Sequence, residues 1–150
     1  MRSVLQRVSS ASVEIDGEVH GYIKQGIAAL IGVEEGDTEE DARYIAEKIA
    51  TTRLFNDDAG KMNLSVREVD GSILAISQFT LHGDCRRGRR PSFVMAARPE
   101  TAIPLYEYVV RYLREELGLQ VATGIFGASM RLSLMNEGPV TLLLDSKRQF

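Results

Sequence analysis

The chain of 150 residues has only two histidines and one cysteine, and those shortages close off several kinds of chemistry. His20, His82 and Cys85 fall short of a usual zinc ligand set, so no metal is implied. No glycine-rich loop of the nucleotide- or dinucleotide-binding type is present, and no cofactor is expected. A lone cysteine cannot close an internal disulfide, and Arg86 and Arg87 beside it would draw an exposed thiol towards thiolate. A reducing, cytoplasmic setting is therefore expected. No apolar run approaches the roughly 18 residues of a membrane span. The segment Met1-Arg2-Ser3-Val4-Leu5-Gln6-Arg7 is interrupted by polar residues before a signal-peptide core develops, so no membrane partner or export is expected. An excess of positive charge is also lacking. With 18 Lys and Arg against 21 Asp and Glu, the net charge of -3 argues against coating nucleic acid by bulk electrostatics. Any RNA contact must be local, and the place for it is Arg86, Arg87, Arg89 and Arg90; the same run also reads as a solvated loop.

What is present fits one domain over residues 1–150. The chain is 44% hydrophobic and 26% charged, and at this length folding buries roughly two-thirds of the unfolded chain's surface without staples. Val4 to Arg7 reads as a first strand, and Asp16-Gly17 joins Val13-Glu14-Ile15 to Glu18-Val19-His20 as a two-residue hairpin turn. Ile27 to Val33 is a continuous apolar run, as in a strand covered on both faces. Asp37 with Glu40 resembles a helix N-cap pair, and Ala42, Ile45, Ala46 and Ile49 then recur at helical spacing, predicting a helix over 38–53. A strand near Leu64 to Val69 and another over Ile73 to Leu81 follow. Pro99 opens a second amphipathic helix that carries Ile103, Tyr106, Val109, Val110, Leu113 and Leu117 and ends at Gly118. Val121 to Phe126, Arg131 to Met135 and Val140 to Leu144 supply the last strands, with Gly138-Pro139 as a break. The predicted class is α+β, a mostly antiparallel, barrel-like sheet with two main amphipathic helices.

Two segments concentrate the chemistry, and each has a plain reading beside the functional one. Ser77-Gln78-Phe79-Thr80-Leu81 fits an ordinary strand with Phe79 and Leu81 in the core; its polar density at the end of an apolar strand also fits binding of a carbonyl group. Ser77, His82 and Asp84 hold the ingredients of a nucleophilic triad, but Ser77 and His82 would face opposite ways along a continuing strand. His82-Gly83-Asp84 reads more simply as a loop. Gly138-Pro139 fits a turn, or a rigid edge poor in side chains that acts as a steric gate.

With both segments in place, the sequence resembles the D-aminoacyl-tRNA deacylases of the bacterial and eukaryotic type. The similarity runs from Gln6-Arg7-Val8 through Gly60-Lys61-Met62-Asn63 and Arg90-Pro91-Ser92-Phe93. The family's Ser-Gln-Phe-Thr motif stands at Ser77 to Thr80 and its Asn-x-Gly-Pro-Val/Phe-Thr motif at Asn136 to Thr141. The resemblance implies hydrolysis of D-aminoacyl-tRNA by a homodimer with active sites at the subunit interface. It implies that Ser77, Phe79 and Asn136 bind substrate, and that a cis Gly138-Pro139 from one subunit gates the other's pocket, with Arg7 holding that motif. By-activity on glycyl-tRNA follows, because glycine offers the gate only hydrogen. For hydrolysis, either a ribose hydroxyl of the RNA assists water, or Thr80 acts as nucleophile or positions the water, with Gln78 as oxyanion donor. Leu81 to Arg87 and Lys147-Arg148 are the clearest departures from the family pattern. Two other readings stay open: a non-catalytic nucleic-acid-binding factor, since eukaryotic relatives of this fold have been linked to DNA, and a small-ester hydrolase using Ser77 or Thr80.

Overall fold

A long first strand organises the computed structural model, which describes residues 1–150. Strand β1 (Arg2–Ile15) alternates inward and outward residues, burying Ser3, Leu5, Ala11 and Val13, the period-2 pattern of a strand facing a core. Its Asp16-Gly17 turn has positive φ at both residues, as a two-residue hairpin requires, and leads into β2 (Glu18–Ile23). Strand β3 (Gly26–Gly32) pairs antiparallel with the first half of β1, and β2 with the second half. Helix α1 (Glu39–Thr51) then crosses over to β6 (Ser72–Ser77), which lies parallel to β3. Helix α2 (Pro99–Arg111) crosses to β7 (Val121–Thr123), parallel to β6. The short hairpin of β4 (Phe55–Asn56) and β5 (Met62–Leu64) stands apart. Strand β8 (Arg131–Asp145) closes along the other side of β1.

The order β2-β1-β3-β6-β7 with β8 on β1 is thus a mixed sheet. Parallel neighbours need a long crossover, and the two helices supply it. The larger core, including Leu5, Ile27, Ile45, Ile49, Ile73 and Val109, lies between sheet and helices. A smaller one, with Val8, Val13, Leu74 and Ile76, fills the opposite, inwardly curled face, where Met130 and Leu132 pack against it. The two helices and the nearly barrel-shaped sheet agree with the expected class.

Several boundaries differ from the sequence reading. Helix α1 is capped by Thr38 and Asp41, not Asp37 and Glu40. Asp37 instead takes the Met1 ammonium at 2.8 Å and the Glu34 N–H, so its charge is consumed before the helix begins. Val66 to Asp70 turn rather than extend. The strand expected to reach Leu81 stops at Ser77, and the last two strands are one. No helix is long and apolar enough to cross a membrane.

Candidate active site

Ser77 ends β6, and the chain then tightens into a 3-10 turn, Phe79–His82. Its seat is the end of β3: the Gln78 N–H donates to Ile31 O at 2.7 Å. The next residue, Gly32, lies so close beneath the turn that a Cβ there would stand 2.8 Å from the Gln78 carbonyl oxygen and 3.1 Å from the His82 ring. The turn's first internal bond runs from Leu81 N–H to Gln78 O. The amides of Phe79 and Thr80 precede it and, like the first amides of any helix, have no partner inside the turn. Gln78 Nε2 donates to the Thr80 hydroxyl at 2.6 Å. That amide is no base, and nothing else bonds the hydroxyl.

The expected core position of Phe79 is not seen. The residue is 53% exposed and its ring meets Phe93 edge-on, with ring centres 5.2 Å apart, because the 3-10 turn breaks the alternation that would have directed it inward. His82 has the opposite fate. It is buried, neither ring nitrogen has a hydrogen-bond partner, and burial pushes its pKa below the usual histidine value. Asp84 binds the Arg86 guanidinium at 2.7 Å, which holds its carboxyl at about 2. Ser77, His82 and Asp84 therefore form no triad.

Ser77, Gln78 and Phe79 line a cleft of about 260 Å³. Its remaining wall is mostly apolar, with Ile76, Phe126, Ala128 and Met130 among the lining residues. Such a slot accepts a flat, weakly polar group such as a nucleobase.

The second motif lies elsewhere. Across from Arg7, β8 departs from its register: Thr141 pairs with Gln6 and Asn136 with Val8, so Glu137 to Val140 bulge out opposite a single residue. Asn136 clips the bulge, accepting the Val140 N–H at 2.8 Å and donating to Val140 O at 3.2 Å and Thr141 Oγ1 at 3.1 Å. The Arg7 guanidinium donates to Glu137 O at 2.9 Å, Leu54 O at 2.8 Å and Asn56 Oδ1 at 3.3 Å. Gly138 has φ +140°, and a Cβ there would meet the Val140 side chain at 2.7 Å, so glycine is required twice over. The Gly138–Pro139 bond is cis, and Gly138 and Pro139 are exposed.

Within one chain the two motifs do not meet. Gly138 lines a hollow with Arg7, Gln25, Phe55 and Asn56, none of which lines the cleft. Along the curled sheet the path from β8 to β6 is three strand spacings of roughly 4.8 Å and, from the level of Ile27 to that of Ile31, four residues of roughly 3.3 Å, about 20 Å on the diagonal. On either side of the bulge Met135, Leu142 and Leu143 stand exposed on β8, whose outer edge has no partner strand. Arg87, Arg89 and Arg90 are exposed beyond the first motif. Sequence reasoning did not single out Gly32, Leu54, Asn56 or Phe126. Leu54 contributes a carbonyl, Gly32 the absence of a side chain and Phe126 one wall, and such contributions leave no local pattern.

Fold and site together define an α+β protein with an apolar cleft floored by a backbone turn and a clipped bulge on an open strand edge. The model of the D-Tyr-tRNA(Tyr) deacylase family matches residues 4–145, and the chain belongs to that family. Among curated relatives, a D-aminoacyl-tRNA deacylase of Halalkalibacterium halodurans is 60% identical over 147 residues, 98% of this chain and 100% of that one. Another, of Thermosipho melanesiensis, is 55% identical over 150 residues and 100% of both chains. The solved structure named c-Myc DNA Unwinding Element Binding Protein is 36% identical, with a TM-score of 0.91 over 97% of this chain and 98% of that one. A probable eukaryotic D-amino acid tRNA deacylase shares the fold at 18% identity, with a TM-score of 0.81 over 95% and 97% of the two chains.

Proposed function

We propose that this single domain hydrolyses the ester bond of D-aminoacyl-tRNA, releasing free D-amino acid and tRNA, and so removes wrongly charged tRNA from translation in the cytoplasm. The full-length match to relatives bearing that activity's name carries the reading. In the geometry that fits it, the terminal adenine enters the apolar cleft and the aminoacyl group lies over the Ser77 to Thr80 turn. The Phe79 and Thr80 amides, which have no partner within the turn, hold its carbonyl. Water attacks that carbonyl carbon, the ester C–O bond breaks, and the ribose oxygen leaves as a hydroxyl after taking a proton. The vicinal ribose hydroxyl assists. The lack of any base on the Thr80 hydroxyl favours this route over a Thr80 nucleophile with Gln78 as oxyanion donor.

The site works as a homodimer with composite sites. The path of about 20 Å along the sheet between the motifs, and the absence of shared lining residues between the hollow at Gly138 and the cleft, support it, because Gly138 and Pro139 then reach a cleft when a partner chain brings them there. The free edge of β8 and its exposed Met135, Leu142 and Leu143 offer the surface for that pairing. With amino group and carbonyl anchored, the gate's backbone leaves room for hydrogen but not for an L side chain. Rejection of this kind is what a great excess of L substrate demands. Glycyl-tRNA, with hydrogen in both positions, is cleaved as a by-activity. Ser77 and Phe79 bind substrate, while Asn136, expected with them as a substrate-binding residue, has its side-chain amide engaged by Val140 and Thr141 and instead holds the gate with Arg7. Arg87, Arg89 and Arg90 face the phosphates farther along the acceptor stem, while Arg86, expected to join them, is held by Asp84. The deciding assay compares D-, L- and glycyl-tRNA: rapid release from the first and third and none from the second is expected, and equal cleavage of D and L forms would overturn the proposal.

The relative named as a DNA-element-binding protein favours a second reading, nucleic-acid binding without turnover. Tight binding of duplex DNA with no release of D-amino acid from charged tRNA would select it.

A further inference from the structure

A second groove, of about 510 Å³, adjoins the cleft and shares one wall with it, Phe126. Helix α2 lines both. Ala102 faces the cleft, and Tyr106, Val110, Arg111 and Arg114 follow along the helix and the π-helical turn after it into the groove. Thr123 to Phe126 form the opposite bank.

The groove's cations are available. Arg111 lies over the Tyr108 ring at 5.4 Å and makes no hydrogen bond or ion pair within the protein. Arg114 is fixed by two bonds to Val121 O, at 3.2 and 2.6 Å, which leaves its other N–H donors free. By contrast Arg86, in the other basic segment, is occupied by Asp84. Glu107 and Glu115 also line the groove, and carboxylates accept from the exocyclic amine of cytosine.

Resting on the deacylase reading, we propose that this groove holds the single-stranded 3′ end of the tRNA next to its terminal adenosine. Arg111 and Arg114 bind its phosphates, and Phe126 forms the step between the terminal base and the preceding cytosines. From Ala102 to Arg114 the helix runs about 18 Å at roughly 1.5 Å per residue. At roughly 3.4 Å per stacked nucleotide that length accommodates the short unpaired end. Guanidinium groups beside an aromatic wall are a common means of holding single strands without reading sequence.

The test is the double variant Arg111→Gln, Arg114→Gln, assayed on D-aminoacyl-tRNA and on 3′-(D-aminoacyl)adenosine, which lacks the preceding nucleotides. On tRNA, KM rises about tenfold or more with kcat retained, and the slope of log(kcat/KM) against log salt flattens by about 1.4, at about 0.7 per phosphate contact. Cleavage of the aminoacyl-adenosine is unchanged, and Arg111→Lys, Arg114→Lys restores the salt slope. Unaltered KM and salt slope on tRNA would overturn the proposal, as would an equal loss on both substrates. Failure of the unaltered protein to cleave either substrate would instead remove the deacylase reading on which it rests.

Discussion

Replacing Arg7 by alanine tests how the gate is held. Arg7 is 9% exposed and its guanidinium has no carboxylate partner; it holds three separate pieces of backbone and side chain together. A hydrogen bond from a charged donor contributes about 1.5–3 kcal/mol net. Losing the contacts to Leu54 O and Asn56, in part replaced by water in the space left behind, should cost about 2–4 kcal/mol of stability. The third contact, to Glu137 O, fixes the residue before Gly138. Its loss, at about 1.4 kcal/mol per decade, reduces the share of molecules with the bulge in its held position by about 10- to 100-fold. The preference for D- over L-aminoacyl-tRNA should fall by the same one to two orders of magnitude. Urea unfolding measures the first effect, and release of labelled D- and L-amino acid from matched charged tRNAs the second. Arg7→Lys, which keeps charge but cannot span three acceptors in a planar fork, should recover little. An Arg7→Ala protein as stable as the parent, with its stereochemical preference intact, would refute the account of the gate.

Further outcomes follow from other parts of the structure. Thr80→Ala should retain hydrolysis within about tenfold, whereas loss of an acid–base group costs about 10²–10⁴; a drop in kcat of that larger size would make Thr80 a participant. His82 titrates lower when folded than the unfolded value of roughly 6.5, so the unfolded chain takes up the proton first. The stability tied to its neutral form is fully present above that value and is lost as pH falls towards the folded pKa. Arg2, Glu34 and the Met1 ammonium are the charges acting on it. Urea midpoints should decline below about pH 6.5, and His82→Phe should flatten that decline; an unchanged profile in the variant would rule His82 out as its source. Leu143→Asp, at a site 59% exposed on β8, removes about 1.5–3 kcal/mol of apolar burial per chain from the proposed interface. Sedimentation should then show monomer with deacylation lost alongside, and a fully active monomer would refute the composite site.

The sequence revealed periodic features well and backbone geometry poorly. Ala42, Ile45, Ala46 and Ile49 disclosed α1 because a helix packed on one face repeats its apolar residues, and Asp16-Gly17 disclosed the hairpin because few residues tolerate two positive φ angles in succession. The parallel pairing of β3, β6 and β7 left less trace, since buried strands read as apolar runs whatever their direction. The 3-10 turn was hidden for a different reason. Apolar residues at 79 and 81 satisfy a strand's alternation, and the contacts that overrule it, Ile31 O and the bare Cα of Gly32, come from 46 or more positions away in the chain. His82 shows the same limit: nothing in His82-Gly83-Asp84 announces that the ring will lie against Gly32.

Both motifs put backbone where an enzyme would more often put side chains, and this fits the task proposed for them. The mirror-image substrates carry the same groups, so no added hydrogen-bonding side chain can distinguish them by chemistry alone; discrimination must come from where matter is placed. A side chain on a rotatable stem would yield to an L substituent for a kcal/mol or so. The bulge at Glu137 to Val140 cannot yield so easily, being clipped at both ends by Asn136 and held from behind by Arg7. Gly32 likewise brings the Gln78 carbonyl against β3, fixing the turn over which the ester is proposed to lie. The rigidity resides in residues that need never touch the substrate, and for that reason Arg7, Asn136 and Gly32 should prove less replaceable than the Thr80 hydroxyl.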